Sequence, residues 1–173
     1  MPASQTVVAA SNTQAASAVF VRRYFDRSEL GYHSSAELPN SWRMVVLGSW
    51  QTRFADPAKN RMIRFDTEYN SRISTATALR QKVAALRGTR GLRVVGTSTV
   101  TTRSTKGQGL LTISTLVYTY RSGDTIRWVA TRYVGQFGSK MAQIEIAVAG
   151  ATSDSKLLGT VINRATESLQ RAG

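Results

Sequence analysis

"LLTISTLVYTYRSGDTIRWVATRYV", residues 110–134, reads as two strands joined by a Ser-Gly-Asp turn. Aromatic and β-branched residues alternate along it with Thr and Arg, the pattern of a strand with two distinct faces. Two registers satisfy the turn. Centring it on Ser122-Gly123 pairs Tyr120 with Thr125 and Tyr118 with Arg127, whereas centring it on Gly123-Asp124 pairs Tyr120 with Arg127. In both, Trp128 shares a face with Val117, Thr119 and Ile126, the better core face. Tyr118, Tyr120, Arg127 and Tyr133 take the other, either outward or under a helix.

Working outward, "LRVVGTSTVTT" before this hairpin and "MAQIEIAVAG" after it extend it to four consecutive strands, with Gly-marked turns at "KGQG", "SGD" and "GQFGS". Neighbouring strands of this kind pair as a meander. Upstream, "WRMVVLGSW", "QTRFAD" and "RMIRFDTEY" read as further strands, the last placing Ile63, Phe65, Thr67 and Tyr69 on the core side. Ser74 is an N-cap for a helix carrying Leu79, Val83 and Leu86 at i, i+4, i+7, stopped by Gly88. After Asp154, an apolar stripe of Leu158, Val161, Ile162, Ala165 and Leu169 predicts a closing helix. At the start, Ala16, Phe20 and Tyr24 recur at helical spacing and predict a helix over 14–25, followed by an irregular "DRSELGYHSSAELPNS".

The order of elements implies an α+β fold, an antiparallel sheet of about six strands packed with helices, including N-terminal and C-terminal ones. The expected core is Ile63, Phe65, Leu79, Val83, Leu86, Val117, Trp128, Ile144, Ile146, Val161, Ile162 and Leu169. At 173 residues the chain suits one domain, placed at 14–173 behind a flexible segment 1–13.

No stretch approaches the roughly 20 apolar residues of a bilayer-spanning helix. No signal peptide is read at the N-terminus, a pattern also compatible with an ectodomain trimmed from a longer exported chain. With no Cys, neither a disulfide framework nor a thiolate metal site is expected. Formal charge is +13, and 18 of the 23 basic residues are Arg. Such a surface attracts polyanions non-specifically, whether nucleic acid, anionic lipid or cell wall.

The sequence predicts no enzyme, cofactor or metal site. Asp66 and Glu68 share a strand face with Arg64, which reads as a solvated, mutually paired face. His33, the only His, lies in the irregular segment with no G-x-S-x-G elbow to serve. "GQFGSK" lacks the order of a phosphate loop and leads into a strand. The one candidate binding face is Tyr118, Tyr120, Arg127 and Tyr133, where rings and guanidinium could stack on bases or sugars or simply cover one another.

The stretch "ELPNSWRMVVLGS…TRFADPAKNRMIRFDTEY" resembles the opening of PsbP-like domains, which carry a Pro-x-x-Trp strand and an "F-x-D-P" turn. "ATALRQKVAALRG" sits where those domains place a sheet-packed helix. The hairpin, with Tyr120, Arg121, Asp124, Ile126 and Trp128, is most similar to the C-terminal domain of actinobacterial type VII secretion-associated proteins. Members often carry a Cys pair that this chain lacks. The resemblance, over about residues 37 to 170, implies an α/β/α sandwich and a non-enzymatic, cell-envelope domain with other protein subunits as partners. It places the chain outside the cytoplasm; a cytoplasmic location is the alternative. A rival resemblance is carried by "FVRRYFDRSELGY", similar to the opening helix of periplasmic assembly factors of type IV secretion systems. A basic nucleic-acid-binding domain is the third reading.

Overall fold

The computed structural model describes residues 18–172. Two meanders form one seven-stranded sheet. The first is β3 (Arg43–Gly48), β4 (Gln51–Ala55) and β5 (Met62–Asp66). The second is β7 (Arg93–Arg103), β8 (Leu110–Ser122), β9 (Thr125–Gly135) and β11 (Ile144–Ala151). Antiparallel pairing of β5 with β11 joins them in the order β3-β4-β5-β11-β9-β8-β7. The four-strand meander read from the Gly-marked turns is the second of these. In the hairpin Ser122 pairs with Thr125 and Tyr120 with Arg127, so the turn centres on Gly123-Asp124.

Strand alternation sends side chains to both faces of this sheet, and both are covered over its central strands, while β3 and β7 at the two edges stay largely exposed. Helix α2 (Ser155–Ser168) lies on one face, beside a three-stranded sheet of β1 (Phe20–Ser28), β2 (Gly31–Pro39) and β12 (Gln170–Arg171). Between these layers sit Phe25, Phe54, Phe65, Ile63, Ile144, Ile146, Leu158 and Val161, with Trp128 partly buried at the margin. Gly150 permits the close approach of α2: a Cβ there would lie 2.8 Å from the Leu158 side chain. Arg132 on β9 bonds Thr115 of the neighbouring β8 (3.2 Å) and ties the sheet to the same helix through Thr166 (3.2 Å) and Asn163 (2.5 Å). Burial lowers its pKa, while Glu167 opposes the shift.

The opposite face carries α1 (Thr75–Ala85) and the short pair β6 (Asn70–Ser74) and β10 (Met141–Ala142). Ser74 caps α1 as expected, its Oγ accepting from the Thr77 N–H at 3.0 Å. Leu79, Val83 and Leu86 pack on Leu116, Tyr118 and Val129, but remain partly exposed because α1 covers only the β8–β9 side.

Three expectations need correction. The predicted N-terminal helix is strand β1 from Phe20 onward; residues 14–17, like the segment 1–13, lie outside the described residues. Positions 16, 20 and 24 share parity, so their spacing fits a two-residue period as well as a helical one. The β-rich "FVRRYF" decides for the strand. The irregular segment is mostly β2, hydrogen-bonded to β1 and β12, which places His33 on a strand. The main sheet alone has seven strands rather than about six, and the chain ends beyond α2 in β12, with Leu169 already extended.

An aromatic-rimmed basin over a buried aspartate

The register places Tyr118, Tyr120, Arg127 and Tyr133 on the α1 face. Tyr118 and Tyr133 are buried, with relative exposures of 6% and 0%. Tyr120 stands half-buried beside Tyr118, ring centroids 6.2 Å apart. Arg127 points elsewhere, donating to the Asn60 carbonyl at 2.8 Å. The structure therefore gathers the tyrosines under the helix and does not leave them as an open stacking surface. Tyr133 hydrogen-bonds Glu145 and Tyr69, and its ring packs 5.1 Å from that of Tyr69. Burial raises the pKa of Tyr133 most, with Glu145 and Tyr69 adding to it; burial likewise raises Tyr118 and Tyr69.

These shifts have a stability consequence. In the unfolded chain the phenols ionise near pH 10 and in the folded chain above it, so the folded state loses stability as pH rises past about 10. Denaturant midpoints measured from pH 9 to 11 should fall, and Tyr133→Phe should flatten the fall while costing about 1 kcal/mol at neutral pH through the lost hydrogen bonds.

Asp66 and Arg64 meet through Gln51: Gln51 Nε2 donates to Asp66 at 3.1 Å, and Arg64 donates to Gln51 Oε1 at 3.0 Å. Glu68 has left the strand for the following turn, 3.7 Å from Arg171.

A second constellation, absent from the sequence reading, lies where β1–β2, the β3–β4 turn and the β9–β10 loop converge. A basin of about 400 Å³ opens there between His33, Trp50, Phe137 and the exposed Glu68 at its rim and Thr67, Gln136 and Arg171 below. The His33 and Trp50 rings are 5.3 Å apart. Phe137 is 67% exposed and holds φ at 55°, a left-handed conformation costly for a bulky residue. Its backbone is fixed by a 2.8 Å bond to the Gln108 carbonyl and by close packing on Gly109, where a Cβ would come 3.1 Å from the Phe137 Cα.

The floor is built by long-range pairing. Strand β12 adds to β2, and Arg171 then reaches Thr67 O at 2.6 Å and Gln136 Oε1 at 3.1 Å. Burial lowers the Arg171 pKa, against the opposing charges of Glu68 and Asp26. Asp26 is 5% exposed and, at φ 58°, interrupts the alternation of β1 so that Phe25 and Asp26 both turn inward. Its carboxylate accepts from Ser34 Oγ (2.6 Å), Thr67 Oγ1 (2.6 Å) and Thr52 Oγ1 (3.5 Å). A buried charge needs such partners. The arrangement is a hydrogen-bonded polar floor beneath aromatic rings. One signal in the sequence pointed to it: an aromatic residue inside the glycine turn "GQFGS" is exposed wherever that turn is exposed.

The fold is that of an antiparallel α+β protein, with the basin at one end of its sheets. The architecture is shared with LpqN, a protein involved in cell envelope biogenesis of Mycobacterium tuberculosis, at a TM-score of 0.55 and 16% sequence identity, covering 89% of this chain and 92% of that one. No protein-family model matches the sequence, and no curated protein does so. The likeness is one of fold. The stretch that resembled the opening helix of type IV assembly factors is the β1–β2 hairpin, which removes the ground for that resemblance.

Proposed function

We propose that this chain is a non-enzymatic interaction domain of the cell envelope, acting outside the cytoplasm. The carrying observation is the basin rim: Phe137 is kept exposed in a conformation that costs stability, which packing alone does not reward. The fold shared with a protein of envelope biogenesis supports the envelope assignment. Asp26 is held by three hydroxyls and the His33 ring packs beside that of Trp50, which supports a role in binding. The finer reading is an accessory or scaffold component of a secretion system, related to PsbP-like and type VII secretion-associated domains. It rests on the Pro-x-x-Trp motif, which forms the β2–β3 turn, and on the Trp-bearing hairpin.

Phe137→Gly tests the role of the rim. Glycine occupies positive φ freely, and relief of a left-handed strain of about 1–2 kcal/mol outweighs the roughly 0.5–1 kcal/mol that glycine's extra unfolded-state freedom costs, so the variant should be slightly more stable than the parent. Envelope partners retained by the parent in a high-salt pull-down should be lost with this variant, because a packed apolar contact is screened little by ions. A variant that is stabilised and keeps every partner would refute the assignment. Submicromolar nucleic-acid binding at about 150 mM salt, weakened by replacement of Tyr120, would favour the nucleic-acid reading.

A further inference from the structure

From Tyr69 to Gly123 the chain has 55 residues without a single Asp or Glu, and Arg72, Arg80, Lys82, Arg87, Arg90, Arg93, Arg103, Lys106 and Arg121 supply nine positive charges. The fold gathers much of this charge around strand β7. That strand ends the seven-stranded sheet, paired with β8 on one side and, among the described residues, open on the other. Ten of its eleven residues are exposed, among them Val94 (44%), Val95 (58%) and Val100 (50%). Arg93 and Arg103 stand at its two ends, Arg90 and Arg121 beside the first of them. None of these four guanidinium groups makes an ion pair or side-chain hydrogen bond among the described residues.

Exposed sheet edges are ordinarily blunted by bulges, prolines or inward charges, since they otherwise recruit further strands. Here a bulge at Val95 interrupts only the first turn of the ladder, and Thr97–Arg103 pairs with β8 in regular register. We propose that this open edge of β7 binds an extended, acidic segment of a partner protein by strand addition. The backbone of Thr97–Arg103 supplies the ladder, and the arginines at the two ends, about 33 Å apart at strand rise, pair with carboxylates flanking the segment. A second copy of this chain fits poorly, because antiparallel self-pairing brings Arg93 toward Arg103 of the other molecule. Single-stranded nucleic acid fits poorly too, since the exposed apolar residues of β7 are valines, which offer no ring for base stacking. This inference rests on the proposed interaction role only in taking a protein as partner, and it uses a surface separate from the basin.

The probe is a synthetic 11-residue peptide of alternating Thr and Val with two carboxylates at each end, titrated at about 150 mM salt. Controls are its lysine-ended counterpart, two N-methylated forms blocked along one or the other edge, and a short DNA duplex. The acidic peptide should bind at least tenfold more tightly than the lysine form, and N-methylation should abolish binding along one edge only. Amides within Thr97–Arg103 should gain exchange protection. Arg93→Glu combined with Arg103→Glu, both exposed changes, should reverse the preference toward the lysine peptide. Equal binding by both N-methylated forms, or tighter binding of the duplex than of the peptide, overturns the proposal. Because the peptide is defined, that failure would leave the Phe137 pull-down unaffected, and the reverse also holds.

Discussion

Phe65→Ala should destabilise the protein by about 4–5 kcal/mol, seen as a lower denaturant midpoint with an unchanged slope. Phe65 is fully buried at the centre of the layer between the main sheet and β1–β2. Its ring lies 4.6 Å from that of Phe25 and 6.3 Å, edge-on, from that of Phe54; Phe25 and Phe54 meet in turn at 5.7 Å. Truncation removes the transfer free energy of a large side chain, opens a cavity, and breaks two aromatic pairs worth about 0.5–1.5 kcal/mol each beyond burial. The three rings come from β1, β4 and β5, so the cavity cannot close by moving one element. A Phe65→Leu variant retains most of the volume and should cost well under half as much. If the alanine variant loses less than about 2 kcal/mol, β1–β2 is only loosely seated on the sheet.

That seating is also where sequence and structure part. Long alternating segments were readable: β8 and β9, the strand carrying Ile63 and Phe65, the Ser74 cap, and the stripe of Leu158, Val161, Ile162 and Ala165. In each, one periodicity or one cap determines the element locally. β1 reads as a helix because its apolar residues at intervals of four satisfy both periods, and because Asp26 breaks the alternation that marks a strand. β2 reads as irregular since three of its five buried positions, Ser34, Ser35 and Ala36, are small and carry little apolar signal; their burial comes from β12 and α2, which are more than a hundred residues away. The basin depends on those same distant pairings. Asp26 and Arg171 are ordinary charges until β12 docks on β2 and brings them to one floor.

Asp26 provides the sharpest test of that floor. Asp26→Ala should cost about 3–4 kcal/mol. It strips the acceptor from Ser34, Thr67 and Thr52, each hydroxyl buried, and removes one of the two acidic charges, Glu68 and Asp26, that act on Arg171. It also places alanine at φ 58°, where aspartate and asparagine are tolerated better than other side chains. Asp26→Asn separates these contributions. The amide keeps one acceptor oxygen and the left-handed preference but gives up the charge, so its cost should fall to about 1–2 kcal/mol. Unfolding of the two variants beside the parent distinguishes the causes. Equal losses for Asn and Ala would assign the whole effect to the carboxylate charge facing Arg171. An alanine variant within about 1 kcal/mol of the parent would mean that water satisfies the three hydroxyls, and the floor of the basin would then be wet rather than rigid.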